Sequence, residues 1–211
     1  MTNYILLMRH CESKKHAKLG FTLDELTDFG EAQSRRIAES LDFDIKYIVS
    51  SPHKRAYKCA EIIAKQKRTS PIIDERWKEL SRGVYTERPY SEFIAEWAKY
   101  GNNYDYVPPE GESVNQGRNR IIEGFREMIK KNQNVLCITH AGLISNLLMM
   151  LYSFEFERGN PSYGGICELI SKENEIVLEP TENNFFLKIP SAIVAPLSKL
   201  SLRRTIANKI T

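Results

Sequence analysis

No apolar run among the 211 residues approaches the roughly 18 that a membrane-spanning helix needs, so no membrane span is expected. Cysteine is scarce. Cys11, Cys59, Cys137 and Cys167 stand far apart, with no Cys-x-x-Cys pair of the kind that holds zinc or runs dithiol chemistry, and the expectation is free thiols in a reducing compartment. An excess of one charge is missing too: 30 basic and 27 acidic residues leave a formal +3. Lys188, Lys199, Arg203, Arg204 and Lys209 face only Glu182 beyond position 180, so the tail carries +4 and the preceding 180 residues carry −1. A body so near neutrality has no basic face, which argues against a nucleic-acid partner. The opening run Tyr4–Met8 is too short for a secretory core and lacks a basic lead and a small-residue cleavage site. A soluble, cytoplasmic protein is expected.

What is present fits one globular domain: 42% of residues are hydrophobic and 27% charged. A chain of this size buries roughly 70% of its unfolded surface, enough for a core without disulfide or metal staples. Tyr4–Met8, Tyr47–Val49, Pro71–Ile73, Val135–Thr139, Cys167–Ile170 and Ile176–Leu178 read as short strands. Between them, Thr27 caps a helix with Asp28 and Glu31 in its first turn, and a second helix starts near Pro52 with Ala56, Cys59, Ala60 and Ile63 on one face. Further helices are expected over Ser91–Tyr100, along Val114, Ile121, Phe125 and Met128, and from Leu143 to Tyr152. The alternation predicts an α/β fold, a three-layer sandwich with a mainly parallel sheet flanked by helices on both faces.

Charged groups stand just beyond the apolar strands: Arg9-His10 after the first, Arg55 near the start of the helix after the second, His140 after Val135–Thr139. Ligands of open parallel sheets sit outside the carboxyl ends of the strands, so this topology gathers these groups into one pocket. Two arginines and two histidines describe an anion site, in which arginine forks suit phosphate oxygens and helix N-termini after His10-Cys11 and after His140 add backbone donors. Arginines beside a histidine disfavour its protonation and leave a ring lone pair, which makes the imidazole a nucleophile. Phosphoryl transfer through histidine then needs an acid–base partner. Glu79 is the best carboxylate for that task, bracketed by Trp77, Leu80 and Gly83, surroundings suited to raising its pKa.

The strings L-M-R-H-C-E-S (Leu7–Ser13), L-T-D-F-G-E-A-Q (Leu26–Gln33), S-S-P-H-K-R-A-Y-K-C-A (Ser50–Ala60), W-K-E-L-S-R-G (Trp77–Gly83), P-E-G-E-S (Pro109–Ser113) and T-H-A-G (Thr139–Gly142) together resemble the ordered signature of the histidine phosphatase superfamily, the phosphoglycerate mutase-like fold. The resemblance covers about residues 4–179. It implies His10 as the phospho-accepting nucleophile, Arg9 and Arg55 as phosphate ligands, Glu79 as acid and base, and His140 as a ligand of the phosphoryl oxygens that stabilises the transition state. It also implies no metal and no cofactor, and a small phosphorylated substrate. The expected activity is a phosphomonoesterase. The alternatives are a phosphoglycerate mutase-type phosphoryl transferase and a non-catalytic phospho-ligand scaffold; the short segment between Glu79 and Pro109 favours the phosphatase.

Three positions depart from the family pattern. Cys11 replaces a glycine, where a side chain can narrow the pocket or shift its loop; a neutral substitution at a tolerant position is the favoured reading, and a redox-sensitive thiol among cations is the alternative. His16 replaces an asparagine that contacts phosphate and is carried as a phosphate ligand, and Cys59 replaces a threonine without expected catalytic effect. His53 reads as a solvated helix residue. The aromatic stretch 85–109 is a candidate substrate lid within a domain spanning 1–180. The extension 181–211 has a poor amphipathic face, which argues for packing on the body or on a second subunit as a homodimer rather than on a membrane.

Overall fold

The computed structural model of the protein describes residues 2–18, 22–100, 103–152, 161–172 and 175–177. Among these, β1 (Thr2–Arg9) leads into a hairpin of β2 (Ser13–Lys15) and β3 (Thr22–Leu26). Then come α1 (Asp28–Ser40), β4 (Tyr47–Ser50), α2 (Lys54–Gln66), β5 (Pro71–Ile73), α3 (Tyr90–Tyr100) and α4 (Val114–Lys130). The described part closes with β6 (Val135–Thr139), α5 (Ala141–Tyr152), β7 (Ile166–Lys172) and β8 (Glu175–Val177). The central sheet has the order β5-β4-β6-β1-β7-β8. Its first four strands are parallel, and β7 and β8 add antiparallel at the other edge. This is the expected α/β architecture.

The apolar strands have no polar face because both sides of the sheet are covered. Side chains alternate along a strand, so Ile5 and Leu7 of β1 join Val49, Val135 and Cys137 on one face, packed against Ile121, Phe125, Leu143 and Leu147 of α4 and α5. Leu6 and Met8 point the other way, with Ile48, Leu136 and Ile138, onto Ala38, Ala56, Ala60 and Ile63 of α1 and α2. Each such side chain taken fully out of water contributes about 1.5–3 kcal/mol.

The helix ends follow local chemistry. Thr27 accepts the Gly30 amide at 3.0 Å and opens α1, as its sequence predicts. Ser113 and Gln116 form a reciprocal capping box at α4. The start of α2 is capped from outside: the Asp24 carboxylate on β3 accepts the Lys54 and Arg55 amides at 3.0 and 3.2 Å. That cap comes from the β2–β3 hairpin, which the sequence does not announce, and it sets the helix start at Lys54 rather than Pro52. Where the sequence suggests a helix after Cys11, the chain instead turns into β2. No helix among the described residues is long and apolar enough to cross a membrane.

The stretch after Glu79 has the texture of a cover rather than of core. Helix α3 carries no buried residue, and Tyr90, Ile94 and Tyr100 are exposed. Phe93 lies 5.9–6.1 Å from the rings of Tyr85, Tyr90 and Trp97, and the Arg82 guanidinium sits over Tyr90 and Phe93. The basic extension 181–211 lies outside the described residues.

Candidate active site

The parallel register pairs Arg9 with Thr139 and Ser50 with Ile138, and the pairing runs on as the His10 amide donates to the Thr139 carbonyl and the Ser51 amide to the Ile138 carbonyl, both at 2.9 Å. His10, Ser51 and His140 therefore emerge side by side from three neighbouring strands. His10 and His140 are buried, 3% and 0% accessible, with ring centroids 5.3 Å apart.

Arg55, on the first turn of α2, lies between them. Its Nε–H donates to His10 Nε2 at 3.2 Å and its Nη2 to His140 Nδ1 at 3.3 Å, while Nη1 is anchored by Asp24 Oδ1 at 3.2 Å. A guanidinium only donates, so these contacts assign the tautomers of both rings. His10 carries its proton on Nδ1, donated to the Cys11 carbonyl at 2.8 Å, and presents the Nε2 lone pair to the pocket. His140 carries its proton on Nε2, donated to Ser51 Oγ at 2.8 Å. Burial, then the charges of Arg55 and Arg9, push the His10 pKa down to about 3. Burial, then Arg55 and His10, hold His140 well below the usual imidazole range.

Arg9 completes the cationic wall. Its Nη1 donates to the Pro161 carbonyl at 2.6 Å and its guanidinium stacks 3.9 Å above the Tyr163 ring, which itself lies 5.6 Å from the His10 ring. Arg9 Nε is buried with no partner among the described residues. An orphaned buried donor costs about 1–3 kcal/mol, and an anion's oxygen is the ligand that would relieve it.

Glu79 arrives by a different route, beyond β5 and a 3-10 turn (Glu75–Trp77) capped by Asp74. Thr139 Oγ1 donates to the Trp77 carbonyl at 2.7 Å and ties this segment to the end of β6. The carboxyl sits 3.9 Å from His140 Nδ1, deep in the fold yet open to the cleft on one side, which leaves its side chain 34% accessible. Burial raises its pKa against the opposing pull of the Leu80 amide and of Arg55, Arg120 and Arg9.

His10, Arg9, Arg55, His140 and Glu79 thus converge as their sequence positions predict. His16 stands half-buried just after β2, in the hairpin whose other strand carries Asp24. The surroundings of Cys11 agree with a neutral substitution and not with a narrowed pocket or a reactive thiol. Its side chain points away from the pocket into the core with Ala38, Ala56 and Cys59, 0% accessible, so it does not narrow the site. Its thiol is pushed up, not down, by the hydrogen bond with Cys59 and by burial. The Cys11 amide donates to Cys59 Sγ at 3.1 Å, so the two departures from the family pattern are neighbours in space. His53, read as a solvated helix residue, stands half-exposed at the N-cap of α2, its ring perpendicular to His140 at 5.0 Å and its Nδ1 3.8 Å from Asp24.

The groups that sequence reasoning misses are Asp24, Ser51, His53 and Tyr163. Asp24 sits in the unforeseen hairpin, and Tyr163 is more than 150 residues from Arg9 in the chain. One thread was visible in the motif ending at Gln33: its side chain accepts the Glu12 amide at 3.1 Å and donates to the Tyr163 carbonyl at 2.7 Å, stitching the loop after β1 to residues 161–165.

A neutral, buried imidazole with its lone pair turned toward arginines, at the carboxyl ends of a parallel sheet and beside a carboxyl of raised pKa, defines a phosphoryl-handling α/β enzyme site. The chain belongs to the histidine phosphatase superfamily (branch 1), whose family model matches residues 5–183. A putative phosphoserine phosphatase 2 of Hydrogenobacter thermophilus is 30% identical over 166 residues, 72% of this chain and 80% of that protein. Phosphoglycerate mutase-like protein 4 of Arabidopsis thaliana is 31% identical over 172 residues, 75% and 71% of the two chains. Among solved structures, a mycobacterial glucosyl-3-phosphoglycerate phosphatase shares the fold with a TM-score of 0.69 at 20% identity, over 81% of this chain and 91% of that one.

Proposed function

We propose that this phosphatase is a metal-independent phosphomonoesterase that works through a phosphohistidine on His10. Arg9, Arg55 and His140 hold the non-bridging oxygens of a phosphate monoester dianion, with His16 as a further donor from the β2–β3 hairpin. His10 Nε2 attacks phosphorus, the bond from phosphorus to the alcohol oxygen breaks, and the protonated Glu79 carboxyl passes its proton to that oxygen. A water then attacks the phosphohistidine while the Glu79 carboxylate takes its proton, and inorganic phosphate leaves.

The observation that carries this reading is the paired role of Arg55. It fixes His10 with its lone pair inward, and it is poised to exchange the imidazole for phosphoryl oxygens when a dianion enters. The dianion also reverses the balance that keeps His140 neutral, so a proton on Nδ1 becomes favourable and that nitrogen becomes a donor. Of the two departures that motivate the scaffold alternative, Cys11 is turned away from the site, and His16 stands in the β2–β3 hairpin.

The test is to mix the protein with p-nitrophenyl phosphate and quench in base, where phosphohistidine survives and phosphoserine is lost by β-elimination. Phosphate should appear on His10, be lost in acid, and be absent from His10→Ala. Turnover without any trapped intermediate in wild type would overturn the covalent route. Isomerisation of phosphoglycerates that depends on a bisphosphate primer would instead support the mutase reading.

A further inference from the structure

The Pro109–Ser113 string has no part in the chemistry above, yet the structure ties it to Glu79 through one arginine. Arg120 on α4 makes a two-point pair with Glu112: Nε to Oε1 at 2.6 Å and Nη2 to Oε2 at 2.7 Å, with both side chains 14% accessible. The same guanidinium donates from Nη1 to the Arg76 carbonyl at 2.6 Å and from Nη2 to the Glu79 carbonyl at 3.4 Å. The Glu112 amide, in turn, donates to the Ser81 carbonyl at 3.0 Å. The Arg120 side chain therefore holds the backbone before and at the acid–base residue, the Glu112 carboxylate fixes that guanidinium, and the Glu112 main chain holds the backbone after Glu79. The face of α4 that carries Arg120 is cut to receive that segment: a side chain at Gly117 would displace Leu80, and one at Gly124 would meet the rigid Trp77 indole.

A half-withdrawn ion pair is weak evidence for stability, since desolvation offsets much of its attraction. What a planar two-point fork supplies in full is geometry. We propose that the Glu112–Arg120 pair is a positioning unit for the proton-transfer steps, holding the Glu79 backbone so that its carboxyl faces the leaving oxygen beside His140. This rests on the reading of Glu79 as acid and base. The pair also sets the local charge. Glu79 is faced by Arg9 from β1, Arg55 from α2, His140 from the end of β6 and Arg120 from α4, and Glu112 offsets the last of these cations. Removing Glu112 leaves Arg120 uncompensated and favours the ionised Glu79; removing Arg120 favours the protonated form.

The experiment compares wild type, Glu112→Gln, Arg120→Met and Glu79→Gln on two substrates: p-nitrophenyl phosphate, whose leaving group departs without a proton, and the alkyl ester β-glycerophosphate, whose leaving group needs one. For Glu112→Gln and Arg120→Met, kcat on the alkyl ester should fall about 10–100-fold with KM within about twofold, the scale expected of a misplaced catalytic group. The phosphorylation burst with the aryl ester should change less than about threefold, and phosphohistidine should accumulate because water activation is slowed. The alkaline limb of the alkyl-ester profile should move to lower pH in Glu112→Gln and to higher pH in Arg120→Met. Equal losses in the alkyl-ester kcat and the aryl-ester burst, or limbs that do not move apart, would overturn the proposal. If Glu79→Gln itself shows no preference for the aryl ester, the reading of Glu79 fails; if it does and the pair variants do not, the positioning role alone fails. Should Arg120→Met not fold, Arg120→Lys keeps the charge, loses the fork, and should show the same substrate discrimination with little movement of the limb.

Discussion

Arg55 Nε–H points at His10 Nε2 across 3.2 Å, so the guanidinium occupies the lone pair that the proposed mechanism directs at phosphorus. Replacing it should act on both the anion and the nucleophile. In Arg55→Met, kcat should fall about 10²–10³-fold, the usual cost of one transition-state donor. The His10 pKa should also rise from about 3 toward, but not reach, the ordinary imidazole value, because burial remains when the charge goes. Histidine nitrogen shifts followed by NMR across pH 3–8 read this directly; an unmoved His10 would mean that Arg55 does not hold it.

Stability should depend on pH in a fixed direction. His10 and His140 have folded-state pKa values below their unfolded ones, so below about pH 6.5 the unfolded chain binds more protons, for His10 down to about pH 3. The stability present above pH 6.5 is then lost as pH falls, by about 1.4 kcal/mol per pH unit for each such histidine. Urea denaturation at pH 7.5, 6.0 and 5.0 should show this slope, and His10→Asn should make it shallower.

Glu79 gives the opposite sign in catalysis. Its pKa is raised by burial, so the proton that the proposed mechanism passes to the leaving oxygen persists above the range of an exposed carboxyl. On alkyl phosphates kcat should decline with pH along a limb displaced upward from about 4.3. Glu79→Gln should abolish that limb and lower kcat about 10²–10⁴-fold. A limb that survives the substitution belongs to another group.

Cys11 should behave as a core residue. Cys11, Cys59, Cys137 and Cys167 are all buried, and a native sample treated with a disulfide reagent should release no fast thiol equivalent. Cys11→Ala should leave kcat/KM within about threefold while costing roughly 1–3 kcal/mol of stability from the space it empties and the thiol contact it loses.

Much of this site is legible in the sequence because strand ends are. An apolar run that stops at Arg9-His10 or Thr139-His140 marks both the strand and the edge at which a parallel sheet presents ligands, and the structure places those residues there. The fold class follows from the same alternation. The supporting contacts do not, for physical reasons that differ. Asp24 lies in a hairpin too short and polar to leave a periodic signal, and its role depends on where α2 begins. Tyr163 reaches Arg9 only through the antiparallel return of β7 beside β1. Cys11 leaves both a neutral and a reactive reading open, because a sequence states which residue stands beside a nucleophile but not which side of the loop its side chain takes.

The pairing of Arg9 with Thr139 has a consequence for how folding can be followed. A slip of one residue between β1 and β6 would turn one imidazole to the opposite face of the sheet and bring the other to Arg55 alone. Misregistered chains are therefore silent in turnover, however native their helix content. Recovered activity after refolding counts the molecules whose strands have found their true partners, and the enzyme carries its own gauge of topological fidelity.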